Sequence, residues 1–255
     1  MSEASTRRDF LKGVTALGAT GLPAVVDAHD PSKPAAAAGM PTTDAPAYQF
    51  LSIGEAAFVE AALASLIPAD ELGPGAREAG VAFFIDRELA GAFGANARNY
   101  RQGPWPQGSP EQGSQWQLTP REIYREAIGA TNRYCEAQYG RRFDDLGTTE
   151  REAVLRGLET GSIALEPVPA RVFFELLWSN TQEGFFADPM YGGNRGKVGW
   201  SLVGFPGVAA AYIDEIEKHN APYDVVPVSI GDLQRGHAAV DAHGHPMHVR
   251  RKPAT

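Results

Sequence analysis

"TPREIYREAIGATNRYCEAQY", Thr119 to Tyr139, is the stretch that decides the fold class. Thr119 and Glu122 form a capping box, in which a hydroxyl and a carboxylate three residues apart satisfy the orphan N–H groups of a helix start. Pro120 falls at the first helical position, where its missing N–H removes no bond. The spacing predicts a helix from Pro120 to about Tyr139.

The same grammar recurs on both sides. Upstream, "SIGE" at Ser52 to Glu55 is a capping box, and Phe58, Val59, Ala62, Leu63, Leu66 and Ile67 repeat on one helical face until Pro68 ends it. Gly80 to Phe93 carries Val81, Phe84, Ile85 and Leu89 at helical spacing. Downstream, "TERE" at Thr149 to Glu152 opens a helix that Gly161 stops, and "ARVFFELLWSNTQEGFF" gives another with Phe173, Leu176 and Leu177 on one face. Val208 to His219 reads as a last amphipathic helix. No run alternates as a strand would, so the expected class is all-α: an irregular helical domain with long glycine- and proline-rich loops. The longest loop, Gly94 to Gln117, contains Trp105 and Trp116, which serve either as anchors on its own core or as interface residues.

Composition bounds the function. The 255 residues are 43% hydrophobic and 21% charged, which suits one globular domain with a sizeable core. A net charge of −8 gives no basic signature for nucleic acid or an anionic membrane surface. A single cysteine, Cys135, excludes an intramolecular disulfide, a cysteine-ligated zinc site and an iron–sulfur cluster built from this chain. Its place within a helical pattern, with no histidine nearby in sequence, reads as a buried structural thiol.

The N-terminus reads as an address. Arg7, Arg8, Phe10, Leu11 and Lys12 lie in "TRRDFLK", followed by an Ala/Gly-rich apolar run to Val26 too short to span a membrane. The stretch resembles the twin-arginine export motif of bacteria, with a cleavage site of A-x-A type at Val26 to Ala28 or in the alanine run from Ala35 to Ala38. The expected organisation is a cleavable twin-arginine signal peptide over 1–28, a flexible linker over 29–49, a helical domain over 50–220 and an extended C-terminal tail over 221–255. Removing 1–28 takes three bases and three acids, so the mature chain keeps its net charge. Because the twin-arginine route carries folded proteins, the address points to a cofactor or to a partner that holds one.

"FFADPMYGGNRGKVGWSLVGFPG", Phe185 to Gly207, packs six glycines and two prolines into a stretch without helical or strand periodicity. A phosphate loop needs Ser or Thr after Gly-Lys, and Val198 follows Gly196-Lys197 here. The dinucleotide fingerprint G-x-G-x-x-G cannot be assembled from these glycines. Neither nucleotide loop is present, and no G-x-S-x-G or other nucleophile stands out. His237, His243, His245 and His248 cluster near Asp241 in the tail, but Gly244 and Pro246 oppose a helix that would align them as metal ligands. A solvated, poorly ordered terminus is the favoured reading. No catalytic, cofactor-binding or metal residue is therefore assigned.

"LASLIPADELGPGAREAGVAFFIDREL", "FFELLWSNTQEGFFADPMYGGNRGKVGWSLVGFPG" and the twin-arginine leader together resemble the small (gamma, third) subunit of gluconate 2-dehydrogenase. Related small subunits accompany flavin-dependent fructose, glucose and glucoside 3-dehydrogenases. The resemblance implies a non-catalytic accessory subunit of a periplasmic sugar or sugar-acid dehydrogenase. It also implies a large subunit of the glucose–methanol–choline family carrying FAD, a c-type cytochrome with haem c as electron acceptor, and the twin-arginine translocase as exporter. The small subunit would stabilise the flavin subunit and direct its export. This chain lacks C-x-x-C-H and is not the cytochrome. The motif positions carried over are Asp188, Tyr191, Gly192, Gly193, Asn194, Trp200, Gly204, Phe205, Pro206 and Gly207, serving internal structure, partner contact or both. The competing reading is a self-sufficient periplasmic enzyme or metal-binding protein using the histidine tail.

Overall fold

Ser52 opens the first helix as its sequence context requires. Its hydroxyl accepts from the Glu55 N–H at 3.3 Å while the Glu55 carboxylate accepts from the Ser52 N–H at 2.8 Å, and α1 runs Ile53–Leu66. The computed structural model describes residues 47–251 apart from 107, 110, 111, 113–115 and 209–214. The twin-arginine stretch, both cleavage sites and most of the linker lie outside them.

Helix α2 spans Val81–Ala90, α3 Pro120–Tyr139, α4 Thr148–Thr160 and α5 Ala170–Phe186, followed by two short helices, α6 at Val198–Val203 and α7 at Ile230–Gln234. The 3-10 turns Phe143–Asp145, Pro189–Tyr191 and Arg195–Lys197 lie between them. Among the described residues the only β-pairings are isolated bridges, so the chain is all-α. No helix among them is long and apolar enough to cross a membrane.

Helix α5 is the axis of the packing, lying against α4 and α2 and touching α1 and α3. Its Phe173 meets Tyr124 of α3 edge-on at 5.6 Å and Phe58 of α1 at 6.1 Å, and Phe58 in turn packs on Phe143 at 4.4 Å. All four rings are fully buried. Burying each phenylalanine contributes roughly 2–3 kcal/mol, and each well-set aromatic pair adds about 1 kcal/mol. The polar tip of Tyr124 is satisfied by donating to Asn180 Oδ1 at 3.0 Å.

One buried charge organises the other side of this core. Asp86 of α2, 1% exposed, accepts three backbone N–H bonds, from Gln49 at 2.6 Å, Phe50 at 2.9 Å and Leu51 at 2.8 Å. These amides supply in the interior the hydrogen bonds that water would give a carboxylate. The segment leading into α1 is thereby pinned to α2. Tyr48, just before it, stacks on Phe83 at 4.7 Å and donates to Glu60 at 2.6 Å.

Four expectations need correction. The helix read from Gly80 to Phe93 starts at Val81, because Gly80 is left-handed (φ 73°), and stops at Ala90, where the extended Gly91 caps it. The capping glutamate of α4 is Glu150, two residues earlier than read; its carboxylate takes the Gly147 N–H at 2.9 Å, so no hydroxyl-bearing cap was needed. The helix read over Val208 to His219 does not reach His219. Val208 enters paired to Val228 (N to O 2.7 Å), Glu215 to Lys218 makes a single turn, and Asn220 is left-handed; residues 209–214 lie outside the described set. The tail from 221 onward, read as extended and solvated, instead folds back. Val225 and Val228 are buried, and residue pairs Gly207–Val228 and Val225–Arg250 form bridges.

Candidate functional site

Helix α5 ends at Phe186 because Asp188 precedes a proline, and a residue before proline is driven out of helical conformation. Asp188 is buried and spends both oxygens. Oδ1 accepts from Met190 N at 3.0 Å, capping the turn Pro189–Tyr191, and Oδ2 accepts from Ile230 N at 2.7 Å, holding the start of α7. The motif's acid is thus a structural clasp between two distant segments.

Asn194 clasps the next turn. It is fully buried and left-handed (φ 48°). Its side-chain amide donates to Ala187 O at 2.8 Å, and its Oδ1 accepts from Gly199 N at 2.8 Å. This draws the loop so tightly onto the end of α5 that a Cβ on Gly193 would lie 2.1 Å from Gly184 O, and one on Gly199 2.1 Å from Phe185 O. Only glycine fits there. Gly192 is buried beside α2, where Arg87 of that helix donates to Met190 O at 3.4 Å.

Trp200 of α6 is 5% exposed and donates its indole N–H to Phe186 O at 2.7 Å. Phe205 packs edge-on against it at 5.1 Å. Gly204 caps α6 in the left-handed conformation, Pro206 O accepts from Val228 N at 3.0 Å, and Gly207 (φ 78°) sits against Val228 O. The motif positions therefore divide. Asp188, Gly192, Gly193, Asn194, Trp200 and Gly207 point inward, whereas Tyr191 and Phe205 are about half exposed, at 48% and 47%.

A second tie is ionic. Lys197 donates to Pro227 O at 2.7 Å and pairs with Asp232 of α7 at 2.5 Å. Burial pushes the Asp232 carboxyl up, but the hydrogen bonds from Lys197 and Ser229 outweigh it and hold the group well below the usual carboxylate range. With the folded value below the unfolded one, this contribution is complete above the ordinary pKa of about 4 and is lost as pH falls through the folded value. Hydrogen exchange at the α7 amides should therefore be flat from pH 7 to 5, after correction for intrinsic rates, and accelerate below about pH 4. An Asp232→Asn variant should exchange fast throughout; acceleration already at pH 6 would contradict this assignment.

Beyond the motif set, the structure exposes Phe186 (40%), Leu202 (49%) and Val203 (60%) beside Trp200 and Phe205. Lack of periodicity hid them, since a six-residue helix shows less than two turns. Helix α7 was missed too, although Ser229 and Asp232 form its capping box (2.9 and 3.1 Å) with Asp in place of Glu.

The other candidates are dispersed. His248 is held by Tyr223 at 2.7 Å and by Val208 O at 2.9 Å, while His245 pairs with Asp241 at 3.1 Å. No three His, Cys, Asp or Glu residues converge among the described residues. Cys135 is buried, and desolvation pushes its thiol up to about 11, as suits an inert core thiol. Trp105 and Trp116, each a little over one-third exposed, line a groove of about 1590 Å³ with Phe93, Leu118 and Leu176.

Compared with known proteins, residues 54–207 match the family model described as gluconate 2-dehydrogenase subunit 3. The match ends at the last glycine of the motif. No curated protein and no solved structure matches.

Proposed function

The chain belongs to the gluconate 2-dehydrogenase subunit 3 family, and on that premise we propose that it is the non-catalytic accessory subunit of a periplasmic, FAD-dependent sugar or sugar-acid dehydrogenase. The observation that carries the reading is the match over 54–207 to a family of dehydrogenase subunits. In this reading the large subunit, of the glucose–methanol–choline family, binds FAD and does the oxidation, and a c-type cytochrome accepts the electrons. This chain stabilises the large subunit and lends it the export address at Arg7, Arg8, Phe10, Leu11 and Lys12.

Two features support an escort over an enzyme. In the conspicuous glycine block, Asp188, Asn194 and Lys197 spend their polar groups on the fold itself, bonding the block's own backbone and the segment from Pro227 to Asp232. The block also lacks the spacing that dinucleotide binding requires. FAD and haem c belong to the partners in this proposal.

The test is co-expression of the flavin subunit with this chain, either wild type or carrying Arg7→Lys and Arg8→Lys together. Periplasmic flavin enzyme should fall by about tenfold or more with the double variant and in the absence of the chain, while cytoplasmic flavin subunit accumulates. Equal periplasmic amounts in all three strains would refute the escort role.

A further inference from the structure

We propose that the pocket between the start of α1 and the middle of α3 binds a small carboxylate ligand through the Asn132 amide and the Arg133 guanidinium. Its volume, about 480 Å³, is that of a small-molecule site. Asn132 lines it and presents a donor without a partner. The residue is only 8% exposed, and its Oδ1 accepts from Phe143 N at 3.1 Å. A backbone N–H needs an oxygen, so the side-chain NH2 is turned the other way. No acceptor meets that NH2 among the described residues, yet it is not sealed from solvent as the Arg101 Nε is. An open donor on an otherwise buried side chain takes its acceptor from outside the chain.

The neighbouring groups favour a singly charged anion. Arg125 is paired with Glu55 at 3.4 Å and Arg142 with Asp144 at 3.4 Å. Arg133, exposed and also lining the pocket, is the remaining lining cation and forms no ion pair among the described residues. Glu136, three residues further along α3, lines the same wall and is equally unpaired, so the pocket has no surplus of positive charge for a doubly charged phosphate. A carboxylate matches the planar guanidinium fork and one amide donor. Gly54 adds a third donor, because the N–H of the second residue of α1 has no partner within the helix. Two glycines keep the space open. A Cβ on Gly54 would stand 3.0 Å from Arg142 Nη2, and one on Gly129, in mid-α3, 3.4 Å from Arg133 Nη1, so larger side chains would crowd the guanidiniums that border the pocket.

The experiment uses the full, isotopically labelled chain, followed by NMR while sodium acetate is added and, in parallel, sodium phosphate or sodium chloride at matched ionic strength. Acetate should shift the Asn132 side-chain NH2 and the Gly54 amide signals along a saturable curve, and phosphate and chloride should not. Arg133→Gln, at an exposed position, should weaken acetate binding by roughly tenfold. Asn132→Asp, which keeps an oxygen for Phe143 N while removing the donors, should abolish it. Glu136→Gln should tighten binding by about twofold or more, and Arg156→Gln, an exposed change on α4 outside the pocket, should leave it unchanged. Shifts that stay linear with acetate, saturable shifts that Arg133→Gln leaves as in wild type, or equal loss with Arg156→Gln overturn the assignment. Phosphate or chloride binding as tightly as acetate also overturns it, in favour of a general anion site. Arg133→Gln decides the matter even if Asn132→Asp fails to fold.

Discussion

Asp86→Ala lowers the stability of the domain by about 3–5 kcal/mol, at about 1–3 kcal/mol for each of three amide donors left without an acceptor and partly relieved by water. The carboxylate is inaccessible and is the acceptor for the amides of Gln49, Phe50 and Leu51. An alanine leaves those three donors with nothing to bond unless the segment lifts into water. Lifting it would also undo the Tyr48–Phe83 stack and the Tyr48–Glu60 bond. At about 2–4 °C per kcal/mol for a domain of this size, the midpoint of thermal unfolding drops by roughly 6–20 °C. Hydrogen exchange separates local from global loss. The amides of residues 49–51 should exchange far faster than those of α5, and Asp86→Asn, which keeps one carbonyl oxygen, should fall between. Unchanged exchange at those three amides would mean the clasp contributes nothing.

Asn194→Ala is the second large effect, about 3 kcal/mol, corresponding to a drop of roughly 6–12 °C in the unfolding midpoint. Two losses combine. The Ala187 carbonyl and the Gly199 N–H lose their partners in a place where Asn194 is fully buried, and alanine must hold a left-handed backbone (φ 48°) that asparagine tolerates better. Asn194→Gly removes the backbone cost and keeps the two orphaned groups, so it should recover about 1 kcal/mol. Asn194→Asp keeps the acceptor for Gly199 and loses the donor to Ala187, and it too should be intermediate. A melting point within about 2 °C of wild type for the alanine variant would exclude the clasp as a determinant of stability.

Two helix starts were legible because the cap is local and uses a Ser or Thr with a Glu. Ser52 with Glu55 and Thr119 with Glu122 are pairs three residues apart, and both form the reciprocal bonds that their spacing implies. Reading failed where the partner is remote. Nothing around Asp86 announces that its ligands lie 35–37 residues upstream, and a charged residue at that point in an amphipathic helix reads as solvated. The two ends of the expected helix over Val208 to His219 departed from it for a similar reason. The pattern is helical, but Val208 is committed to pairing with Val228, twenty residues further on. The glycine block was legible as a unit and not in its parts. Sequence alone treats Asn194 and Phe205 alike, whereas the fold buries the first completely and leaves the second 47% exposed.

The clasps of Asp188 and Lys197 bear on where this protein can be cut. The family match stops at residue 207, which invites a truncated clone ending there. Such a fragment would keep the Asp188 oxygen that holds Ile230 and the Lys197 ammonium that holds Asp232 and Pro227, and would discard all three counterparts. It would also strip Val228 from its place against Gly207 and Pro206. The stretch matched by the family model is therefore shorter than the unit these clasps hold together, and a usable boundary lies beyond α7.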